Sequence, residues 1–406
     1  MLLPNSAATP ALLIVALAGV CSAQEWTEAV VVQKFLDQSP HAREARARVA
    51  IAEAEARGRS LYPNPSVSYS REGAGRTEFF QTEQTLPVTG RLKLLRQAGT
   101  AMVRATESEG AFSLWQARSS VRQVFYRVLA AQQSESIYAA GLEEIENVIR
   151  VLAERERQGE GSKFDRLRTE RERAEMLAEL ALVRAAGALE RAQLLAFLPA
   201  GTRITAVSGQ IETPPLALNA NEIAQRALAV REDYRAEQRR IEQYRLEQRA
   251  AERLRFPEPV VNAGLKRADV GQRGTENGPV VSITIPLPLF NKGQAEVARY
   301  SAEQERVSAR LEVLSRQIRA AVEGAIAAFT VRQQARDEYR NQLAETGPEL
   351  VRIATVGYQE GEIGILQLLD AYRVHRQAQL RMLEIQAAVK EAQIELERVV
   401  GEEFGK

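Results

Sequence analysis

A duplicated motif divides most of this chain into two halves of related sequence. An aromatic residue followed by Pro-x-Pro occurs at Tyr62–Pro65 and again at Phe256–Pro259, at an offset of 194 residues. The same offset separates Ser39 from Asp233, and both residue types are common N-caps of helices. Matching spacings over a period of ~200 residues indicate an internal repeat. The fold must therefore be built from two similar units.

Two glycine-containing segments form a second pair of matching positions. The segment 159–162 (GEGS) of the first half corresponds to 361–364 (GEIG) of the second, at an offset of 202 residues. The first contains Gly159, Gly161 and Ser162, and the second contains Gly361 and Gly364. Glycine permits the left-handed backbone of a tight turn. We therefore predict that each segment is a turn between two helices.

Long helices are predicted on both sides of these turns. No proline occurs between Pro87 and Pro199, so the chain there can form one helix of ~100 Å at 1.5 Å per residue. Its apolar residues recur in alternating steps of four and three, which is the spacing of a coiled-coil seam. In the second half, Pro348 is predicted to kink the equivalent helix. The predicted helices are 92–157 and 163–197 in the first half and 293–357 and 363–400 in the second.

Residues that alternate in polarity predict two β-hairpins, at 65–86 and 259–288. Val67 and Tyr69 alternate with serines in the first, and Val281 and Ile283 alternate with Ser282 and Thr284 in the second. Period-two alternation around a Gly-rich turn is typical of a hairpin. Each half is therefore predicted as helix, hairpin, long helix and returning helix. The predicted units are a first repeat at 24–198, a linker or equatorial segment at 199–219 and a second repeat at 220–406.

The first 23 residues have the pattern of a secretory signal peptide. The apolar run 11–20 is too short to span a bilayer but fits the core of such a signal. Small residues at Cys21 and Ala23 suit cleavage after Ala23. Lipidation of Cys21 is the alternative, although Val20 is larger than the residue that normally precedes a lipidated cysteine. The chain is therefore expected to be exported.

Composition excludes several classes of function. The chain carries 54 Lys and Arg against 53 Asp and Glu, a net charge of +1, so no nucleic acid partner is expected. One Cys and two His, at His41 and His375, are too few for a disulfide framework or a soft-metal site. The sequence contains no nucleophile elbow, phosphate loop or metal motif. We expect no enzymatic activity, no cofactor and no bound metal.

The hairpins argue against a simple helical bundle. Two hairpins at the ends of ~100 Å helices have no third layer to pack against, and an isolated hairpin is marginally stable in water. Alternation of small polar and apolar residues is typical of a membrane barrel with one lipid face and one aqueous face. Four strands cannot close a barrel, so the strands would be shared between chains. Three chains would supply twelve strands, which favours a homotrimer, whereas a secreted coiled-coil structural or adaptor protein with a small soluble β part is the alternative.

The order and spacing of these motifs resemble the TolC family of outer-membrane efflux channels. The two Pro pairs are followed by Leu86–Arg91 (LPVTGR) and Pro288–Gly293 (PLFNKG), and the likeness covers nearly the whole chain after the signal. The resemblance implies a mainly α fold with a small β part, in which three chains form a twelve-stranded outer-membrane barrel continuous with a helical periplasmic tunnel. It also implies a periplasmic adaptor protein and an inner-membrane pump as partners. The segment Phe80–Arg91 is most similar to the branch that serves cobalt–zinc–cadmium pumps.

The resemblance further assigns the two turns to the periplasmic tip of the tunnel. The turn residues that would contact the adaptor are Gly159, Gly161, Ser162, Gly361 and Gly364. Asp370 takes the position of an acidic ring that narrows the tip, where three carboxylates would attract cations and obstruct anions. Gln367 replaces a second acidic residue one turn earlier, and Asp165 is the acidic residue after the first turn. The alternatives are a solvated helix residue for Asp370 and an N-cap-like role for Asp165.

The expected function is therefore a passive exit duct. It would conduct substrates, with heavy-metal cations favoured, from an inner-membrane pump and its adaptor to the exterior of a Gram-negative cell.

Overall fold

A computed structural model describes residues 25–73, 77–216 and 218–404, without the side chains of residues 343–346. The predicted signal peptide, including Cys21, lies outside the described residues, as does part of the first hairpin turn. The described chain is mainly helical with one small sheet. Its two halves contain the same α-helices and strands in the same order, and the second half adds two short 3₁₀ turns, Arg253–Arg255 and Gly271–Arg273.

Each half consists of two short helices, a β-hairpin, a very long helix and a returning helix. The first half contains α1 (Glu28–Gln38), α2 (Pro40–Arg59), β1 (Ser66–Glu72), β2 (Thr77–Thr85), α3 (Arg91–Arg157) and α4 (Lys163–Ala196). The second contains α5 (Ala220–Val230), α6 (Glu232–Glu252), β3 (Val260–Asp269), β4 (Thr275–Thr284), α7 (Gln294–Glu360) and α8 (Ile365–Val400). Helix α7 continues three residues beyond the predicted 357 and includes Pro348, where a bend stays a prediction.

The two residues predicted to be matching N-caps behave differently. Ser39 caps α2, because its hydroxyl accepts a hydrogen bond from the Ala42 amide at 3.1 Å. The prediction for Asp233 is wrong, since Arg231 occupies the N-cap position of α6. The Asp233 carboxylate lies inside the first turn and accepts hydrogen bonds from the Arg231 guanidinium at 2.6 and 3.0 Å. An acidic group there still complements the positive end of the helix dipole.

The four strands form one antiparallel sheet in the order β1-β2-β3-β4, so that β2 and β3 join the two halves. Tyr69 pairs with Phe80, Phe80 with Leu265 and Leu265 with Pro279. Because alternate residues share a face, this register collects most of the apolar side chains on one side and most of the polar ones on the other. The apolar face is exposed, with Val281 at 72% accessibility. Strands β1 and β4 have no further partner among the described strands.

The seams predicted for the long helices are buried. Helix α3 packs against α2, α4, α6 and α8, and α7 packs against α5, α6 and α8. Leu142 and Ile145 of α3 pack with Met176 and Leu180 of α4. In the second half, Ile318 and Val322 pack with α5 and α8, and Phe329 with Val389 and Ala392. The helices of the two halves therefore pack together as one continuous helical layer.

A buried charge network fastens α1 to the middle of α3. The Arg122 guanidinium contacts the carboxylates of Glu28 and Glu397, and only 1% of the Glu397 side chain is exposed. The Tyr126 hydroxyl donates to Glu28 at 2.5 Å, and Lys390 lies over the Tyr126 ring at 4.9 Å. Burial opposes ionisation of Glu28, but the charge of Arg122 and the Tyr126 hydrogen bond outweigh it and lower the pKa of Glu28.

Candidate functional site

The turn between α3 and α4 depends on two glycines. Gly159 has a φ of +80°, and its amide donates to the Glu156 carbonyl at 3.1 Å, as in a helix that ends in the left-handed conformation. A Cβ at Gly161 would lie 2.6 Å from the Glu156 nitrogen, so only glycine fits there without movement of the backbone. Ser162 is the N-cap residue of α4, without a capping bond from its side chain.

The turn between α7 and α8 is built in a related way. Gly361 has a φ of +79° and ends α7, and the Glu362 amide donates to the Gly357 carbonyl at 2.8 Å. Gly364 is the N-cap of α8, and its amide donates to the side-chain carbonyl of Gln367 at 3.1 Å. Gln367 thus stabilises the start of α8, a role that the sequence analysis did not assign to it.

Both turns lie at the same end of the helical layer. Leu152, near the end of α3, packs with Ala354 of α7 and Leu368 of α8. The Arg155 guanidinium lies 5.6 Å from the centre of the Tyr358 ring, which adds a cation–π contact between α3 and α7. Burial raises the pKa of Tyr358, and the negative charge of Asp165 acts in the same direction. The structure therefore brings Asp165 of the first turn near Tyr358 before the second.

Arg166 connects α3 and α4 directly beside the turn that joins them. Its guanidinium donates to Glu156 of α3 at 2.6 Å and to Glu170 of α4 at 2.6 Å. The hydrogen bond from Arg166 lowers the pKa of Glu156. This link holds α3 and α4 together next to Gly159 and Gly161.

Glu172 connects α4 to α8, a contact that the sequence did not predict. Its carboxylate accepts a hydrogen bond from Arg373 at 2.8 Å and lies 3.8 Å from Arg376. The hydrogen bond to Glu172 raises the pKa of Arg373, whereas burial lowers that of Arg376. The pairing depends on the axial alignment of two helices from different halves, which no local pattern encodes.

The three predicted gate residues have different surroundings. Asp370 is exposed and makes no hydrogen bond or ion pair with another described residue, although its charge contributes to the raised pKa of Arg373. Gln367 is exposed and caps α8. Asp165 is half-buried in the first turn of α4, where a carboxylate complements the helix dipole. Of the three, Asp370 is thus the one whose side chain is exposed and not bound by another described residue.

Metal ligands do not gather in the described part of the chain. Among the described residues there is no group of three or more His, Cys, Asp or Glu side chains that could hold a metal ion. His41 lies beside the rings of Phe35 and Phe197, at centroid distances of 6.0 and 6.1 Å, and His375 contacts Gln379 at 3.0 Å. In the same residues, no helix has both the length and the apolar composition needed to cross a membrane.

Comparison with known proteins finds a family model and a curated relative that are similar to this chain. Residues 223–402 match the family model described as outer membrane efflux protein. The cobalt-zinc-cadmium resistance protein CzcC of Cupriavidus metallidurans is 24% identical over 289 residues, which cover 70% of this chain and 67% of CzcC. The match to the family model covers most of the second half.

Solved structures share the fold over almost the full length. A crystal structure of CusC, described as forming a transmembrane channel, has a TM-score of 0.71 at 18% identity and covers 92% of both chains. The open-state outer membrane channel MtrE of Neisseria gonorrhoeae has a TM-score of 0.68 at 19% identity, over 92% of this chain and 89% of MtrE. The family match over residues 223–402 and the shared fold confirm the resemblance to TolC-family outer membrane efflux channels that was drawn from the sequence.

Proposed function

We propose that this protein is the outer-membrane exit duct of a tripartite efflux system and works as a homotrimer without catalytic activity. The observation that carries the proposal is the sheet. One face is apolar and exposed, the other is mostly polar, and β1 and β4 have open edges among the described strands. An open edge is not tolerated in hydrocarbon, whereas the pairing of β1 with β4 of another copy satisfies both edges. Three four-stranded sheets joined in this way give twelve strands.

The outer surface of α4 supports the same assembly. This helix buries one side against α3 but leaves apolar residues exposed along the other side, and they recur at helical spacing. These exposed residues include Phe164, Leu167, Leu182 and Leu189. In a trimer, a helix of a neighbouring copy covers this stripe, and the helical layers of three copies close into a tunnel. The apolar face of the sheet then contacts outer-membrane lipid, and the helices extend into the periplasm.

The turns are proposed to form the periplasmic tip. Gly159, Gly161 and Ser162 of one turn and Gly361 and Gly364 of the other would contact the adaptor protein, which docks the duct onto an inner-membrane RND-type pump. No neighbouring atom lies within 4 Å of a Cβ placed at Gly159 or Gly361, which leaves both positions accessible to a partner.

Heavy-metal cations are the proposed cargo class. The likeness to CzcC supports this assignment, and three copies of Asp370 around a common axis would favour cations at the tip. The energy for transport would come from the pump, so that the duct conducts passively once its tip is open.

The test is to isolate the protein from bacterial membranes after expression with its own N-terminus. We expect an outer-membrane protein that is extracted by detergent as a trimer and conducts ions in planar bilayers. A soluble monomer in the periplasm would refute the duct and favour the secreted coiled-coil protein instead.

A further inference from the structure

A row of charged residues interrupts the apolar face of the sheet close to the hairpin turns. Arg71 pairs with Glu78, Glu78 with Arg267 and Arg267 with Asn277 in the strand register. These four residues have the same parity as Tyr69, Phe80 and Leu265, which lie two residues away on the respective strands. They therefore belong to the apolar face and not to the polar one. Charges on a face built for lipid are costly at the middle of the bilayer and are tolerated near its edge, where they can meet polar headgroups.

One cation of the row has no partner among the described residues. The Glu78 carboxylate lies 3.6 Å from the Arg71 guanidinium and accepts a hydrogen bond from the Tyr69 hydroxyl at 3.3 Å. Arg267 is exposed and has no hydrogen bond or ion pair to another described residue. The next residue on this face, Asp269, accepts a hydrogen bond from the Gly271 amide at 3.0 Å within the turn. Glu78 is thus paired with Arg71, and Arg267 retains its positive charge.

The depth of the row matches the edge of a hydrocarbon layer. The apolar face of β4 and its continuation runs from Ile285 to Pro279, and Asn277 marks the row of charges. Eight residues at ~3.4 Å each, inclined by ~40°, rise about 21 Å, and the apolar band of such barrels is ~25 Å tall. The long helices leave the sheet at its other end. The row therefore lies at the boundary that faces away from the helices, which is the outer leaflet if the sheet is inserted as proposed above.

We propose that Arg71, Glu78 and Arg267 form a binding site for a phosphate group of an outer-leaflet glycolipid, an inference that rests on the proposed membrane insertion. Arg267 donates to the phosphate oxygens, and Arg71, oriented by Glu78, supplies a second guanidinium. Guanidinium groups bind phosphate oxygens in a bidentate geometry, and the partly apolar surroundings strengthen the charged hydrogen bonds. The acyl chains of the same lipid lie along Phe80, Leu265 and Val281 below the row.

Lys266 provides a matched control. It neighbours Arg267 on β3 but has the opposite parity, and its ammonium group lies 5.7 Å from the Phe79 ring centre on the polar face. Arg267→Gln and Lys266→Gln each remove one positive charge from adjacent positions of one strand. Only the first removes it from the face that contacts lipid.

The experiment measures binding of bis-phosphorylated lipid A, and of its dephosphorylated form, to the detergent-purified trimer by native mass spectrometry. We expect Arg267→Gln to weaken binding of the phosphorylated lipid about tenfold and Arg71→Gln/Arg267→Gln to weaken it further. Lys266→Gln and the wild type should bind alike, and the dephosphorylated lipid should bind all variants equally weakly. Inorganic phosphate alone should not compete at millimolar concentration, because it lacks the acyl contacts.

Equal binding of the two lipids, or equal losses in the Arg267 and Lys266 variants, would overturn the lipid site. Competition by inorganic phosphate alone would instead indicate a free-phosphate site, which also overturns it. Conductance of each preparation is recorded in planar bilayers. A conducting trimer with phosphate-independent lipid binding refutes only this inference, whereas a chain that neither trimerises nor conducts refutes the proposed function and this site with it.

Discussion

Replacement of Arg122 by methionine should destabilise the protein far more than the loss of an ordinary surface ion pair. Arg122 lies between Glu28 of α1 and Glu397 of α8, whose side chains are 28% and 1% exposed. Removal of one partner from a buried ion pair costs ~3–5 kcal/mol, because it leaves a charge without compensation. Glu397 would keep hydrogen bonds from the Gln393 side chain at 2.9 Å and the Phe404 amide at 3.4 Å. We therefore expect the lower end of that range, a loss of ~3 kcal/mol in the free energy of unfolding.

Arg127 on the same helix is the matched control. Its side chain is 43% exposed, and it lies 3.8 Å from Glu190 and 3.9 Å from Glu391. Exposed pairs of this kind contribute ~0–1 kcal/mol, so Arg127→Met should unfold almost like the wild type. The measurement is unfolding of the purified protein by urea, followed by circular dichroism at neutral pH. Equal destabilisation in the two variants would show that the buried network does not hold α1 in place.

Acid should reduce the difference between wild type and Arg122→Met. The folded protein holds the pKa of Glu28 below its ordinary value of 4.5. A carboxyl group with a lowered pKa contributes stability that is present above its unfolded pKa and is lost as the pH falls through the folded pKa. The wild type therefore loses this contribution as the pH falls below about 4.5. The variant lacks the attraction to Arg122 and loses less. A difference that stays constant from neutral pH to pH 3 would refute the assignment.

Three further predictions concern the turns and the gate. Asp370→Ala should raise the leak conductance and lower the cation selectivity of the isolated channel, and an unchanged reversal potential in a salt gradient would contradict the acidic ring. A bulky residue at Gly361 should abolish export while trimers still assemble, since no neighbouring atom restricts that position, and persistent export would show that this turn is not the docking tip. Gly161→Ala should loosen the first turn more than Gly159→Ala. The new Cβ at position 161 would lie 2.6 Å from the Glu156 backbone nitrogen. Alanine at position 159 meets no neighbour and costs only the ~1–2 kcal/mol of a left-handed backbone. Hydrogen exchange of the amides around the turn tests this order, and equal or reversed protection would contradict it.

The long elements could be predicted because their patterns are periodic. Leu142 and Ile145 are buried in the seam that their spacing predicts, and Val67 and Tyr69 lie in a strand with the predicted alternation. Two short helices, α1 and α5, were missed. An eleven-residue helix has little stability of its own, and α1 depends on the packing of Val31 and Phe35 against α3.

The candidate site could be predicted only in part. The glycines of the turns and the acidic residues near them can be read from the sequence, because left-handed backbone favours glycine. The pairing of Arg166 with Glu156, and of Arg373 with Glu172, depends on how the helices align in three dimensions. Asp233 was misassigned for a local reason, because Arg231, two residues earlier, takes the N-cap position of α6 and binds the Asp233 carboxylate.

The pairing of β2 with β3 has a consequence for biogenesis. It joins Thr85 to Val260, so that 175 positions of sequence separate the two strands at the centre of the sheet. Closure of a loop of that length costs about 4–5 kcal/mol in chain entropy before any pairing energy is gained. The β1–β2 and β3–β4 pairs are local in sequence, but the edge of β2 that faces β3 stays unpaired until the second half of the chain has been synthesised. During that interval the edge is open to aggregation, and a chaperone that recognises extended strands would shield it.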